Sequence, residues 1–458
     1  NTRTVYTQTD GEPSAVVVAT PHSLLEMTRL KESAQQTADV QQWLIEKNTK
    51  PFDLTKDLSI RADLLELSDN HWALAITLHH IASDEASMLV LQRELLGLYQ
   101  AFAHKLPDPL APLKVQYADF AAWQQRWLNP EALNTQLDYW KKTLDGSPTL
   151  LNLPIDKPRP AIQGYQGRAW MFLIDESLTK QLKGLCAAND VTLFMGLFAS
   201  YATLLAKHCD THDLVIGTPV TNRNRSELNE LIGLFVNTLP IRVLHRPQST
   251  TVELLARIRQ TMLDGLANQD TPFESIVDAI HPERSLSHAP IFQTMFVLQN
   301  AIEEGIHHSD LRMLPLDAET SSTKFDLTLA IQQESNSLRC VFEYNIDLFE
   351  ESTLEILAEH FTQLLRRMVE KPYSTILQTP LLTSAQRHQV LVEYNPALVT
   401  QRYTSAQTLF EREAAHRPDA IALTDAGITK AEKALGIDRE KMKIKVVCEE
   451  EKGLFGLR

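Results

Sequence analysis

Apolar residues recur along this chain at two spacings, and the switches between them mark out its elements. In the run from His71 to His80 the even positions Trp72, Leu74, Ile76, Leu78 and His80 fall on one face, because side chains alternate across a strand. A partner strand, Ser59 to Leu67, precedes it at hairpin distance. Then the period changes. Met88, Leu91, Leu95, Leu98 and Phe102 repeat at helical spacing, which predicts a helix from Asp84 to about Phe102 with Ser83 and Asp84 as caps. Further helices are expected around Leu178 to Ala188, Leu193 to Lys207 and Ser352 to Val369. Strands are expected at Asp213 to Val220, Gly233 to Leu244, Thr294 to Gln299, Asp326 to Gln333 and Leu338 to Tyr344. Short strands alternating with amphipathic helices predict an α/β architecture. The stretch containing Pro154, Pro158 and Pro160 is the expected boundary between two lobes, and no internal repeat is visible.

The segment His79-His80-Ile81-Ala82-Ser83-Asp84-Glu85 is where this pattern carries chemistry. Two adjacent histidines close an apolar strand and a carboxylate opens the next helix, so by alternation only one imidazole can point into a given cavity. A strand-to-helix turn that presents an imidazole offers the commonest general acid or base. The same residues also suit a pair of packed core histidines, and the local pattern leaves both readings open.

This stretch resembles the HHxxxDG motif of the condensation domains of non-ribosomal peptide synthetases, and further motifs of that family follow in order. Tyr117-Ala118-Asp119-Phe120-Ala121-Ala122-Trp123 resembles YxDFAxW, and Ile232-Gly233-Leu234-Phe235-Val236-Asn237-Thr238-Leu239 resembles IGxFVNT. Gln269-Asp270-Thr271-Pro272-Phe273-Glu274 resembles QDxPFE, and the run from Arg284 to Phe292 resembles the RxxSRxPLF region. Singly, Tyr117 and Trp123 would pass as helix core and Asn237 as a capped strand end; five motifs in order make chance a poor explanation. The resemblance runs from about residue 1 to about 424.

The fold that the resemblance implies is two chloramphenicol-acetyltransferase-like lobes in a V, with the active site in a tunnel between them. The implied reaction is aminolysis of a thioester. An upstream peptidyl carrier protein presents an acyl or peptidyl group on a phosphopantetheine arm, and the amine of an aminoacyl group on a downstream carrier attacks it. No cofactor of the chain's own is implied. His80 is the implied catalytic residue and His79 a packing residue. Asp84 is expected to hold the turn, paired with Arg223 in the stretch from Pro219 to Arg225 that resembles the family's arginine-containing loop. Glu85, Asn237 and Gln293 are candidates for lining the tunnel.

Departures from the pattern shape the expectation. Glu85 stands where the family has Gly, Asn268 where it often has His, and His288 where many members have Arg. Glu85 adds bulk and charge beside Asp84. The opening Asn1-Thr2-Arg3-Thr4 resembles sequence that follows an internal HExLRT motif, so residues 1–155 are expected to form an incomplete N-terminal lobe with an open apolar sheet face, and residues 156–385 the C-terminal lobe. Residues 386–425 resemble a linker and the start of an adenylation domain. Residues 426–458 resemble the small N-terminal domain of Jag-type RNA-associated proteins, or else are a solvated helix and a charged strand. A chain cut at both ends, with Glu85 in the tunnel, is expected to catalyse weakly or not at all.

Composition narrows the rest. With 458 residues, 43% hydrophobic and 22% charged, the chain can bury real cores across more than one lobe. A formal net charge of -14 argues against non-specific partners such as nucleic acid or an anionic membrane. Cys186, Cys209, Cys340 and Cys448 are far apart, without a CxxC or a Cys/His ligand cluster, so neither a disulfide framework nor a zinc site is expected and a reducing cytoplasm fits best. No stretch nears the roughly 18 apolar residues of a membrane span, and no signal peptide opens the chain. Two other classes remain. Epimerisation domains and stand-alone acyltransferases that use coenzyme A share the two-lobe fold and a like motif, and an inactive remnant or docking module would also account for Glu85 and the foreign tail.

Overall fold

The computed structural model describes residues 2–9, 11–19, 24–30, 36–68, 70–280, 285–299, 307–308, 311–312, 322–394 and 406–416. The chain divides into two compact units, residues 1–381 and 382–458, so both expected lobes except residues 382–385 lie within the first.

The first lobe opens with a hairpin, β1 (Thr4–Thr9) and β2 (Glu12–Val17). A three-stranded sheet follows, built from β3 (Leu25–Arg29), β4 (Ile60–Ser68) and β5 (His71–Leu78), with α1 (Gln36–Thr49) between the first two strands. β3 runs parallel and β5 antiparallel to β4, as a crossover and a hairpin require. Register sets the two faces. Leu65 and Ala73 lie on the face that packs against Val40, Trp43 and Leu44 of α1. Lys47 of α1 reaches down to Asp63, with Nζ 2.5 Å from Oδ1, and this hydrogen bond raises the lysine pKa. The opposite face carries Leu25, Met27, Trp72 and Leu74, which are 47%, 67%, 45% and 38% exposed. The even face of β5 is thus the open one.

Three helices lead out of this sheet: α2 (Glu85–Ala103), α3 (Tyr117–Trp127) and α4 (Pro130–Leu144). The expected stripe on α2 is corrected. Ser87, Val90, Leu96 and Ala101 are buried, whereas Met88 and Phe102 are 39% and 70% exposed. The cause is polar: Ser87 bonds to the loop around Gly233, and that turns its side of the helix inward.

The second lobe centres on a six-stranded sheet. Its elements in chain order are β6 (Gly167–Ile174), α5 (Glu176–Ala188), α6 (Leu193–His208), β7 (Asp213–Val220), β8 (Asn237–Leu244), α7 (Thr251–Ala267), α8 (Phe273–Ile280) and β9 (Thr294–Gln299). A two-residue pair, β10 (His307–His308) and β11 (Leu311–Arg312), comes next, then β12 (Leu327–Gln333), β13 (Leu338–Asn345) and α9 (Glu351–Glu370). The sheet order is β6-β13-β12-β9-β7-β8. One face, with Phe172, Cys340, Phe342, Leu329, Ile331 and Phe296, packs into the large core beneath the helices. α6 is apolar nearly all round and buried along most of its length, the mark of a helix inside a core. The other face presents Val297 and Gln299 of β9, Ala330 and Gln332 of β12, and Val341 and Glu343 of β13. β8 begins four residues later than the periodicity suggests, because the backbone of residues 233–235 is bonded to α2 and its cap rather than to a neighbouring strand.

The second unit contains α10 (Ser384–His388), opened by a Thr383–Gln386 capping box, a π-helical turn over Gln389–Glu393, and α11 (Ala406–His416). The expected adenylation-like start falls only partly on described residues, and the Jag-like segment 426–458 lies outside them, as does Cys448. Among the described residues no single helix is long and apolar enough to cross a membrane.

Candidate active site

The two histidines sit in different surroundings. β5 ends at Leu78, and His80 begins a single 3-10 turn, so strand alternation does not extend to it. What separates the imidazoles is hydrogen bonding. His79 is half-buried, its Nδ1 accepts the Ile81 N-H at 3.1 Å, and its ring lies edge-on to Phe52. His80 is exposed, with Nδ1 2.6 Å from the Ser83 carbonyl oxygen. A carbonyl only accepts, so the neutral ring carries its proton on Nδ1 and leaves an Nε2 lone pair free.

Asp84 ties this turn to the second lobe. As the N-cap of α2 its Oδ1 accepts the Ser87 N-H at 2.8 Å and the Ser87 hydroxyl at 2.7 Å. Its Oδ2 accepts the Phe235 N-H at 3.0 Å, and Arg223 Nη2 stands 3.0 Å from Oδ1. Both side chains of this ion pair are at most 5% exposed. Burial opposes the charge on Asp84, but the hydrogen bonds from Ser87 and Phe235 and the nearby guanidinium outweigh it, and the carboxyl pKa falls below its ordinary value. Arg223 Nη1 also donates to the carbonyls of Leu228 and Leu231, and the guanidinium lies 4.1 Å from the ring centroid of Phe235. The expected pair is present, and it acts as a clamp between lobes.

Two of the sequence motifs meet here. Tyr117, Phe120 and Trp123 of α3 pack with Leu228, Leu231 and Phe235, and the Tyr117 hydroxyl donates to the Leu234 carbonyl at 2.8 Å. Gly233 is required by this approach, since a Cβ there would lie 2.1 Å from Tyr117 Cδ2. Ser87, which no sequence motif marks, is the centre: its hydroxyl oxygen, whose one proton goes to Asp84, accepts the Gly233 N-H at 3.1 Å and an Arg223 Nη2-H at 2.9 Å. The only signal for it in the sequence is its place three residues after a capping Asp.

Two tunnel candidates have their amides engaged by backbone groups. Asn237 donates from Nδ2 to the carbonyls of Gln269 and Thr271 at 2.8 and 2.7 Å and accepts the Phe273 N-H, so its amide brackets the QDTPFE segment. Gln293 is 1% exposed; it accepts the Leu151 N-H at 2.8 Å and donates to the carbonyls of Thr149 and Ala289. Both amides have spent their donors inside the second lobe. Glu85 differs. It is exposed at the first position of α2, with the Gln299 side-chain amide of β9 near enough to act against the rise in its carboxyl pKa. Crowding of the carboxyl and the adjacent charge of Asp84 still raise its pKa.

Other chemistry is poorly served. Burial pushes the Cys186 thiol up to about 11 and Cys209 up to about 12, so neither is a thiolate at neutral pH. Among the described residues no group of three or more His, Cys, Asp or Glu could hold a metal ion. A cleft of about 420 Å3 lined by Lys141, Asp145, Thr149 and Ile280 holds none of the residues above.

A two-lobed α/β chain with an exposed imidazole on a clamped turn defines a fold class, and solved structures share it. The X-domain from teicoplanin biosynthesis is 26% identical with a TM-score of 0.75, over 83% of this chain and 86% of that one. A four-domain non-ribosomal peptide synthetase, holo-AB3403, matches at a TM-score of 0.76 over 95% of this chain and 35% of its own, and at 22% identity it shows the fold alone. The family model for the condensation domain matches residues 2–391, and the chain belongs to that family. A linear gramicidin synthase polypeptide of Brevibacillus parabrevis is 39% identical over 428 residues, 92% of this chain and 8% of the synthase polypeptide. Phosphinothricin tripeptide synthetase PhsC of Streptomyces viridochromogenes is 36% identical over 430 residues, 92% of this chain and 39% of the synthetase. The chain therefore spans less than a tenth of the first of these relatives and under half of the second.

Proposed function

We propose that this chain forms an amide between a thioester-bound acyl or peptidyl group on one carrier protein and the amine of an aminoacyl group on another. The amine nitrogen attacks the thioester carbonyl, a C–N bond forms, and the carbonyl oxygen becomes an oxyanion. His80 Nε2 takes the proton that the nitrogen loses. The tetrahedral intermediate then collapses, the C–S bond breaks, and the proton passes to the leaving sulfur to give the free thiol. Asp84, Arg223 and Ser87 set where the imidazole stands, because effective concentration in such a step depends on sub-ångström placement. His79 packs on Phe52 and takes no proton.

One observation carries this reading: His80 Nδ1 is bound to the Ser83 carbonyl while the ring stays exposed, on a turn locked to the second lobe. It is tested with a donor carrier bearing an acyl-pantetheine thioester and an acceptor carrier bearing an aminoacyl one. Product should appear on the acceptor carrier and should fall about 10²-fold or more in His80→Ala. A second reading is a docking module without chemistry, supported by the likeness to the X-domain, which has been solved in complex with OxyB at 26% identity and a TM-score of 0.73. Failure to form any amide, with the fold intact, would favour it.

A further inference from the structure

Residues 221–236 join β7 to β8, so by chain order they belong to the second lobe. Their contacts lie elsewhere. Among the described residues, the hydrogen bonds, ion pairs and ring contacts of this loop run within it or to α2, its Asp84 cap and α3. Glu230 pairs with Arg93 of α2, and the Arg225 guanidinium lies 5.1 Å from the ring centroid of Trp123 on α3. Leu228, Leu231 and Phe235 form an apolar cluster with Phe120 that is separate from the large core of the second lobe. The change of side falls within a few residues at each end. Val220 packs on the large core, Asn222 turns the chain with φ at +50°, and Arg223 is already bonded to Asp84. Phe235 donates to Asp84, whereas Asn237 is bonded to the carbonyls of Gln269 and Thr271. The chain crosses once more between α3, whose Trp123 packs on the loop, and α4, whose Trp140 is 1% exposed in the large core and donates to the Asn268 carbonyl at 3.0 Å.

We infer that residues 222–236 are a strap that opens and closes with α2 and α3, and that the lobes are joined by movable chain at 128–130, 221–222 and 236–237. A segment stays with the body that holds its side chains, because its ends can turn about φ and ψ while a buried ion pair and an apolar cluster resist separation. The consequence concerns the imidazole. The clamp on the His80 turn grips second-lobe sequence that is itself fastened to first-lobe helices, so rotation about these joints moves the second-lobe sheet relative to His80 and leaves the clamp shut. Parting the lobes through the Asp84–Arg223 pair would instead strand two ions that are at most 5% exposed, which is the costlier route. Hinge motion about a few element-terminal residues thus leaves the bonds that orient His80 intact, whichever reaction the residue serves.

Native-state hydrogen exchange of the whole chain, read peptide by peptide by mass spectrometry, tests this without turnover. Two variants load the lobes separately. Tyr117→Phe deletes the bond to the Leu234 carbonyl from the α3 side, and Ile241→Val removes a buried methyl group from β8 on the second-lobe side. Tyr117→Phe should quicken exchange in residues 223–235 and α3 about five-fold, the ratio that about 1 kcal/mol supplies, and leave β7 and β8 as they were. Ile241→Val should quicken β7 and β8 by a similar factor and leave residues 223–235 and α3 unchanged. Arg93→Gln, which removes only the exposed pair with Glu230, repeats the first comparison without touching the buried cluster and should act in the same direction with a smaller effect. Exchange in residues 223–235 that quickens with Ile241→Val, that rises together with β7 and β8 in Tyr117→Phe, or that neither first-lobe variant alters would overturn the inference.

Discussion

Replacing Asp84 by Asn separates its two conceivable roles. Asn caps a helix as well as Asp does, but its one amide oxygen can accept from the Ser87 N-H or from the Phe235 N-H and not from both. The negative charge facing Arg223, whose side chain is 5% exposed, is lost as well. Breaking one side of a buried pair costs about 3–5 kcal/mol, because the remaining ion has neither partner nor water. Two features lower that figure here: Arg223 also donates to the Leu228 and Leu231 carbonyls, and it lies over the Phe235 ring. We therefore expect a loss of about 2–4 kcal/mol. A domain of this size moves by about 2 °C per kcal/mol, so the melting temperature should fall by roughly 4–8 °C. The double variant Asp84→Asn with Arg223→Gln should lose less than the sum of the two singles, since it leaves no uncompensated ion. Thermal and denaturant unfolding of the four proteins gives the coupling directly. An Asp84→Asn protein that melts with the parent but has lost amide formation would refute the clamp and make Asp84 a participant in the chemistry.

Three other perturbations probe the same geometry. His80→Ala should leave the melting temperature unchanged within about 1 °C while abolishing activity, because the ring's one bond is to a local carbonyl; a large loss of stability would make it a core histidine. Gly233→Ala should cost about 1–3 kcal/mol by forcing Tyr117 aside, read as a fall in denaturant midpoint with an unchanged slope. His208 Nε2 lies 3.0 Å from His360 Nδ1 in the second-lobe core, and burial followed by the charge of His360 lowers the His208 pKa to about 4. A base whose folded pKa is depressed favours the folded state above its unfolded value of about 6.5, and that stability, up to about 3 kcal/mol, is lost as pH falls from 6.5 to 4. Melting temperature should drop over that window, and less steeply in His208→Gln; parallel slopes would refute the assignment.

Much of the fold is legible because periodicity reports burial. β7 and β9 start and stop where the alternation does, and α6 extends one residue past its expected end at Lys207. The departures have a common cause, which is polar contact between segments distant in sequence. β8 starts late because residues 233–235 bond to the α2 cap, and the buried stripe of α2 is shifted because Ser87 is held by Gly233. Asn237 lies in a motif and Gln293 directly follows one, yet nothing in residue type announces the backbone groups that each amide binds. The Glu85–Gln299 contact joins positions 214 residues apart, beyond the reach of any local rule.

Whether His80 moves a proton during amide formation between two carriers is read most directly by single-turnover transfer. An acylated donor carrier is mixed with an aminoacylated acceptor carrier and followed by intact-protein mass spectrometry, for the unaltered chain and for His80→Ala. The expected result is an acyl-aminoacyl product on the acceptor carrier that requires both carriers and is formed about 10²-fold or more slowly by the variant. Product formation at the same rate by His80→Ala, or no product beyond the carrier-only control from a folded unaltered chain, would contradict it.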